Sequence, residues 1–495
     1  MKLTFQNHLG KNLNYRRVNV NSSSFIEEIR NLFKPVDEHT KAAIDRRNQE
    51  LPHHVKVPGQ TLGKVGIGCE GTHGVFPKCN FACRPCYHSE EANRIRIDGP
   101  HTLSEIEKQM KFLWQNRASY AHAQLIGGEV SLLSPEDHSK AIEIMRRYGR
   151  EPMSFTHGDV DPEYIKKVAL LPDGNRRFKR ISFAAHFDTT MIGRRGLRRT
   201  QIEADLDEYR KRFADIFHSL KKSHGVKFFL AHNMTVVPSN VDQIPGVIER
   251  CRFFGYSMFS FQPAAFVGDE KKWKQDFNTL DPDRIWELIE EGAGAKLDYK
   301  VLQVGDTRCN RTAWGFYVGE KWFPYIDGND DKDVKARDLY LNTFGGVHFN
   351  APLWSLLPKL TTLAVKNPTI IFVAISWLLR KLKKVGGIRA VILDGIYPMT
   401  FVMHRFMNED LVDKAWDLMN QGVQSDDPII KETQERLAAC SYAMAHPELG
   451  TVVPACVQHS VLDKKENKVL VNLLPLNKRS VNSDESNPAN AVSRS

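Results

Sequence analysis

Between residues 61 and 299 the chain alternates short apolar runs with longer amphipathic stretches. The apolar runs predict strands at 123–126, 153–155, 181–185, 228–237 and 258–262. The stretches between them predict helices at 103–116, 139–148, 201–218 and 240–253. This alternation is typical of parallel β/α units, which form an open doubly wound sheet or a full or partial barrel. Functional side chains are then expected at the carboxyl ends of the strands.

The segments outside this core have different patterns. Residues 1–60 are polar and predict an N-terminal extension with a helix at 24–33. The alternation is lost after residue 301, so residues 301–476 are predicted to form an α+β C-terminal domain beside the core domain of residues 61–300. Residues 477–495 are rich in Ser and Asn and lack aromatic side chains, which predicts a disordered tail.

Eight cysteines in 495 residues are too few for a disulfide scaffold. The first 17 residues lack the apolar run of a secretory signal, so the expected compartment is the reducing cytoplasm. There, thiolates are free to bind metal. The net charge of +10 is compatible with RNA, anionic lipid or acidic substrates and does not choose among them.

The strongest chemical signal is the CxxxCxxC spacing of Cys79, Cys83 and Cys86. Three thiolates can ligate three irons of a cubane and leave the fourth iron without a protein ligand. An open metal position can take a substrate or cofactor. A zinc site with His88 as the fourth ligand is the alternative that spacing alone leaves open.

This motif resembles the signature of the radical S-adenosylmethionine (SAM) superfamily. Gly127, Gly128 and Glu129 stand at the end of a predicted strand and resemble the family's GGE motif, which meets the amino group of SAM. Three further residues follow later predicted strands where the family places its SAM-binding segments: Thr156, Asp188 and Asn240. The resemblance covers residues 65–266 and implies a partial (β/α)6 barrel. One departure is Pro85, which stands where the family usually has an aromatic residue bordering the adenine.

The resemblance also implies cofactors and partners. These are a [4Fe–4S] cluster, SAM, and a reductant such as flavodoxin or ferredoxin. Reductive cleavage of SAM would yield a 5′-deoxyadenosyl radical that takes a hydrogen atom from an unactivated carbon. Several members carry a second iron–sulfur cluster, for which Cys309, Cys440 and Cys456 are candidate ligands, with Cys69, His446 or His459 as a fourth. The alternative is that these cysteines are ordinary free thiols.

Two features of the sequence indicate the class of substrate. Short segments at 261–263, 403–407 and 453–456, with Cys440, are similar to the branch that contains the archaeal tetraether lipid synthases, which suggests a lipid. Residues 353–379 are largely apolar and precede a basic run: Arg380, Lys381, Lys383, Lys384 and Arg389. Such a segment suits a helix lying on the anionic inner face of a membrane, or a buried helix over the barrel mouth. The apolar run at 370–379 is too short to span a bilayer.

Two other functions remain open from the sequence. One is a radical SAM enzyme that modifies RNA or a peptide, although the chain has no recognisable RNA-binding module. The other is a non-catalytic metal-binding protein. The partner expected for the radical SAM enzyme is a small-molecule or lipid substrate, and a nucleic acid is not supported.

Overall fold

The computed structural model describes residues 33–88, 90–197 and 202–476. The predicted tail at 477–495 and nearly all of the predicted helix at 24–33 lie outside these residues.

One mixed sheet of eleven strands organises the described chain, in the order β11-β10-β1-β2-β3-β4-β5-β6-β9-β7-β8. Its strands are β1 (Cys69–Gly71), β2 (Ala121–Leu125), β3 (Arg150–Thr156), β4 (Arg180–His186), β5 (Lys227–Val236), β6 (Met258–Pro263), β7 (Asn310–Val318), β8 (Lys321–Pro324), β9 (Tyr397–His404), β10 (Tyr442–His446) and β11 (Thr451–Pro454).

Strands β1 to β6 lie side by side in chain order and are all parallel. One helix follows each of the first five strands: α2 (Gly99–Asn116), α3 (Pro135–Arg147), α4 (Pro162–Ala169), α5 (Asp207–His224) and α6 (Ile244–Cys251). The helix that precedes them is α1 (Glu38–Glu50). Because the two edge strands β11 and β8 do not pair within the described residues, the curled sheet stays open. The predicted partial (β/α)6 barrel is confirmed.

Local sequence explains these elements. In β3, alternate residues are buried, as a strand with one face on the core requires. Helix α3 begins with Ser134, whose hydroxyl accepts from the N–H of Asp137, and Pro135 occupies its first turn. Between sheet and helices the rings of Phe183, Phe213 and Phe217 pack together with centroids about 5 Å apart. Burying each such ring stabilises the fold by about 1.5–3 kcal/mol.

Strands from beyond residue 301 extend both edges of this same sheet. β10 pairs parallel with β1, and β9 pairs parallel with β6. β11, β7 and β8 add antiparallel strands outside them. The division between residues 61–300 and 301–476 stays a prediction. The helix after β6 is α7 (Pro282–Ala293). The helices beyond residue 301 are α8 (Asp331–Thr343), α9 (Leu353–Lys366), α10 (Thr369–Lys384), α11 (Gly387–Asp394), α12 (Glu409–Asn420), α13 (Pro428–Ala438), α14 (Ala455–Val457) and α15 (Asp463–Leu473).

Helices α9 to α11, hereafter the apolar hairpin, expose large apolar side chains. Trp354, Phe372 and Ile392 are 72%, 73% and 74% exposed. No single described helix has the length and hydropathy to cross a membrane. Helices α9 and α10 reach that length and hydropathy only when taken together, and they are bent by 107° at the break between them. The segment is therefore not the buried helix that the sequence left open.

The placement of the apolar hairpin is also unexpected. His348, just before α9, stacks on Tyr120, next to the first residue of β2. Helix α11 runs into Tyr397, the first residue of β9. Both ends of the hairpin thus attach at the amino ends of the strands. This position does not fit a segment that covers the barrel mouth, which lies at the carboxyl ends of the strands.

Most of the basic run has partners within the protein. Lys381 is buried and lies 2.6 Å from Asp333, which also pairs with Arg380 at 2.9 Å. Lys384 pairs with Asp327 and Asp330. The expectation that these three cations face lipid headgroups is therefore wrong, because α10 uses them to dock on α8 and the loop before it. Lys383 and Arg389 form no side-chain ion pair or hydrogen bond among the described residues.

Candidate active site

A cavity opens at the carboxyl ends of β2 to β6. It holds about 1250 Å³ of empty space, solvent at its mouth included, and the three thiols of Cys79, Cys83 and Cys86 line it. The Gly127–Glu129 turn, Thr156 and Asp188 line the same cavity. Residues separated by more than a hundred positions in the chain are thus brought together at the edge where the barrel predicts chemistry.

The loop that carries the three thiols, residues 79–86, is tied to its surroundings by backbone hydrogen bonds. The N–H of Ala82 donates to Ile192 O at 2.8 Å, and that of Arg84 donates to Thr190 O at 3.0 Å. The N–H of Cys79 donates to the side-chain oxygen of Asn93. These bonds fix the loop against the segment after β4.

Burial raises the pKa of the Cys79 thiol to about 12 and holds those of Cys83 and Cys86 above their usual value. The ammonium of Lys272, on the cavity wall, opposes this shift at Cys83 and Cys86. Metal binding requires the deprotonated thiolate, so a positively charged cluster suits this set of donors.

The Gly127–Gly128 turn lies directly against the chain that enters this loop. The N–H of Gly128 donates to Phe76 O at 2.8 Å, and that of Glu129 donates to Lys78 O at 2.9 Å. A Cβ at position 128 would lie 2.1 Å from Lys78 O, and one at position 127 would lie 2.7 Å from the ring of Phe76. Only glycine allows this approach. The turn and the thiol loop therefore form one unit.

Glu129 is fully buried and holds the bottom of the cavity together. Its Oε1 accepts from the N–H of Ser131 at 2.9 Å and from the hydroxyl of Thr156 at 2.8 Å. Its Oε2 accepts from the N–H of His157 at 2.7 Å. Because each carboxylate oxygen can accept two hydrogen bonds, Oε2 retains one acceptor position for a ligand.

Asp188 and Thr156 are buried residues that border the cavity and form hydrogen bonds within its wall. Asp188 Oδ1 accepts from the N–H and hydroxyl of Thr190, and its Oδ2 accepts from the N–H of Thr235 at 3.0 Å. The hydroxyl of Thr156 accepts from the N–H of Gly158 at 3.1 Å while it donates to Glu129. Both side chains are thus held in fixed orientations.

Asn240 does not line the cavity. Its Oδ1 accepts from the N–H of Val237, and its Nδ2 donates to Glu203 and to Thr235 O. These bonds fix the loop after β5 behind the wall that contains Asp188. A direct contact between Asn240 and a cofactor stays a prediction.

His88 is held by the glycine turn. Its Nε2 lies 2.5 Å from Gly127 O, and because a carbonyl can only accept, Nε2 carries the proton. Its Nδ1 is buried without a hydrogen-bond partner among the described residues. Burial lowers the pKa of His88, so the ring is neutral at pH 7.

Sequence reasoning missed several cavity residues. Lys272 follows β6 and donates to His88 O at 2.8 Å. The ring of His157 stacks on Phe81 with centroids 3.9 Å apart, and its Nε2 lies 2.9 Å from Asn80 Oδ1. The sequence indicated only that His157 lies in a turn at the end of a predicted strand. Lys272 carries no local signal, since only the closure of the barrel brings it to the thiols.

Cys309, Cys440 and Cys456 gather around Arg436, outside this cavity. Arg436 Nε donates to Cys309 Sγ at 3.1 Å, and Cys440 Sγ donates to Tyr442 O at 3.0 Å. Burial raises the pKa of Cys456, and the neighbouring thiols of Cys440 and Cys309 raise it further. The structure thus brings the three together, and a second cluster there stays a prediction.

Comparisons with known proteins give distant likenesses. No family model matches the chain, and no curated protein matches it. Among solved structures, it is similar to Streptococcus suis SuiB bound to precursor peptide SuiA, with 12% identity and a TM-score of 0.30 over 50% of this chain and 48% of that one. It is also similar to native anSMEcpe with bound AdoMet and Cp18Cys peptide, with 16% identity and a TM-score of 0.31 over 45% of this chain and 57% of that one. The chain thus spans about half the length of these proteins, and likeness at this level carries no argument about its activity.

Proposed function

We propose that this chain is a radical SAM enzyme in which Cys79, Cys83 and Cys86 hold a [4Fe–4S] cluster. One observation carries the proposal: three thiols, a glycine turn and a buried carboxylate with an open acceptor position line one cavity at the carboxyl ends of a parallel barrel. When bound, the cluster and SAM supply reductive cleavage of SAM and removal of a hydrogen atom from a substrate carbon.

In this proposal the chain's own residues bind SAM and orient it. The open position on Glu129 Oε2 fits the ammonium of the SAM methionine, and the Gly127–Gly128 turn gives that group room beside the thiol loop. We propose that Asp188, which borders the cavity, accepts from a hydroxyl of the SAM ribose. Tyr87 and Phe406 close the cavity with apolar surface, which helps to exclude water.

Iron fits the thiols better than zinc does. The ligand atoms of one tetrahedral zinc, each about 2.3 Å from the ion, lie about 3.8 Å apart. The three sulfurs are not among the described groups whose ligand atoms all lie within 4.8 Å of one another. Sulfurs bound to different irons of a cubane are spaced more widely than sulfurs on one ion.

The same cavity favours an apolar substrate. Ile126, Phe155, Met191 and Val267 contribute apolar wall beside the polar SAM contacts. We therefore propose a substrate with a hydrocarbon chain, a lipid first, and a flavodoxin or ferredoxin as the electron donor. If profiling instead finds a modified peptide, a peptide replaces the lipid as the proposed substrate.

Membrane attachment is the second part of this proposal. The exposed side chains of the apolar hairpin would each contribute about 1.5–3 kcal/mol on burial in a bilayer. Lys383 and Arg389 are available for anionic headgroups. The protein would thus be cytoplasmic and peripheral on the inner face of the membrane, with the hairpin at the end of the barrel opposite the cavity.

Anaerobic reconstitution tests the catalytic proposal. The wild type should bind about four irons and form 5′-deoxyadenosine from SAM after reduction. Cys83→Ala should form none, and 5′-deoxyadenosine production by that variant would contradict the proposal. Lipid and peptide profiling of a deletion strain then separates the substrate classes.

Sedimentation with vesicles tests the attachment separately. The protein should sediment with anionic liposomes at low salt, and Trp354→Ser with Phe372→Ser should remain in the supernatant. A wild type that remains in the supernatant under these conditions would remove the membrane from the proposal without affecting SAM cleavage.

A further inference from the structure

A second group of potential metal ligands lies outside the cavity. His73 follows β1, His446 ends β10, and Glu466 lies on α15. One ligand atom from each residue lies within 4.8 Å of the others. The side chains are 8%, 1% and 25% exposed, so the group is largely shielded from water.

The hydrogen bonds of His73 determine which nitrogen is available. Its Nε2 lies 2.7 Å from Ala445 O, and because a carbonyl oxygen can only accept, Nε2 must carry a proton. In the neutral ring Nδ1 then carries a lone pair and is an acceptor. It nevertheless lies 2.9 Å from Glu466 Oε2, which is also an acceptor. Two acceptors at this distance repel each other unless a metal ion or a second proton on the ring lies between them.

His446 is arranged in the same way. Gln458 Nε2 donates to Asp463 and to Glu466, at 2.9 and 3.1 Å, which fixes the amide orientation. Gln458 Oε1 therefore faces His446 Nε2 at 2.5 Å and requires a proton there. His446 Nδ1 is left facing carboxylates, with Glu448 Oε1 at 3.0 Å and Glu466 Oε1 at 3.7 Å.

We propose that His73, His446 and Glu466 bind one divalent transition-metal ion, which we assign as Zn²⁺. One ring nitrogen of each histidine and a carboxylate oxygen of Glu466 lie within 4.8 Å of one another, and each Nε2–H is held by a fixed acceptor. Metal-binding histidines almost always donate their other ring N–H to such an acceptor. Two imidazoles and a carboxylate form a common zinc donor set, with a fourth position for water or Glu448.

The stacking of the two rings favours the arrangement with an ion. Their centroids lie 4.1 Å apart, so protonating both rings would place two cations face to face. Stacked cations in a site of low exposure repel each other at short range. A single dication is balanced by Glu466 together with Glu448 and leaves both rings neutral.

The ion would connect three distant parts of the chain beside the thiol loop. His73 lies six residues before Cys79, and the chain between them receives the hydrogen bonds of the glycine turn at Phe76 and Lys78. The metal would thus fix the approach to the thiol loop against β10 and α15. This role is structural and independent of SAM cleavage.

Zinc analysis of the cluster-loaded protein tests the proposal, because iron then occupies the thiols. After treatment with a chelating resin and addition of one equivalent of Zn²⁺, the wild type should retain about one zinc per chain. Its zinc K-edge absorption fine structure should show nitrogen and oxygen ligands with imidazole scattering. Glu466→Gln and His446→Gln should each bind zinc at least tenfold more weakly at unchanged iron content.

His138→Gln is the matched control, since His138 is equally buried but hydrogen-bonds to Ser154 and Tyr164 elsewhere. It should retain zinc as the wild type does. Sulfur ligands in the wild-type spectrum, or zinc retention no greater than that of Glu466→Gln, would overturn the proposal. The spectrum of the wild type decides the matter even where a variant fails to fold.

Discussion

Replacing Glu129 by Gln separates the two roles of this carboxylate. Gln has the same shape, so its oxygen can keep the hydrogen bonds from Ser131 and Thr156 at the Oε1 position. Its NH₂ then faces the N–H of His157, whose present bond to Oε2 is 2.7 Å long. A hydrogen bond to a charged group is worth about 1.5–3 kcal/mol, so the free energy of unfolding should fall by about that amount.

The same substitution removes the acceptor proposed for the SAM ammonium. Losing one charge-assisted hydrogen bond of about 1.5–3 kcal/mol weakens binding by roughly 10- to 150-fold, since about 1.4 kcal/mol corresponds to tenfold. We therefore expect the Kd for SAM to rise by that factor while about four irons remain bound. Glu129→Ala should be more severe, because it leaves three buried donors unpaired.

Equilibrium dialysis with labelled SAM, iron analysis and urea unfolding measure the three quantities on the same preparations. Glu249→Gln, at an exposed position of α6, is the matched control and should change none of them. If Glu129→Gln lowers the stability as expected but binds SAM as the wild type does, Glu129 only supports the fold and the proposed contact is wrong.

Four further outcomes follow from the structure. Cys251→Ala should keep full SAM cleavage, because Cys251 is a buried residue of α6 remote from the thiols that line the cavity, and activity assays measure this. If Cys309, Cys440 and Cys456 hold a second cluster, the wild type should bind about eight irons and the Cys79/Cys83/Cys86 triple variant about four. Iron counts near four in the wild type and near zero in the triple variant would exclude that cluster. Lys381→Glu should destabilise the protein by about 3–5 kcal/mol, because the buried Asp333 loses one of its two cationic partners and gains a like charge, whereas Lys383→Glu with Arg389→Glu should leave the urea midpoint unchanged and weaken liposome binding. Burial lowers the pKa of His138 to about 3, so below about pH 6.5 the unfolded chain binds a proton that the folded chain does not; stability should therefore fall with pH, and in urea titrations His138→Gln should reduce that slope by about 1.4 kcal/mol per pH unit.

Local pattern was enough for the central strands and for most of the helices between them, although α4 was not predicted and α5 begins six residues after its predicted start. The apolar runs that predicted β2 to β6 are long enough to stand out, and the structure places each within three residues of the predicted bounds. Strand β1 escaped because it has three residues, Cys69–Gly71, and depends on neighbours on both sides for its hydrogen bonds. Its partner β10 lies more than 370 positions away, and no local signal encodes such a pairing.

The candidate active site shows the same limit of prediction from local sequence. Chain order placed Glu129, Thr156 and Asp188 at strand ends, and the parallel barrel brings strand ends together. Whether a polar side chain faces the cavity or supports its wall depends on tertiary partners, as the fully bonded amide of Asn240 shows. The basic run was misread for a related reason, since the acidic partners of Lys381 and Lys384 precede them by about fifty residues.

The position of β10 between β11 and β1 has a consequence for biosynthesis. A ribosome releases β1 and the thiol loop early, but the neighbour that covers the outer edge of β1 emerges only after residue 441. Until then the nascent chain exposes an unpaired strand edge next to three free thiols, a state open to aggregation and oxidation. Such a long-range pairing also folds slowly. Cluster insertion is therefore expected to follow release of the whole chain, and yields of intact protein should depend more on oxygen and chaperone supply during synthesis than on the stability of the finished fold.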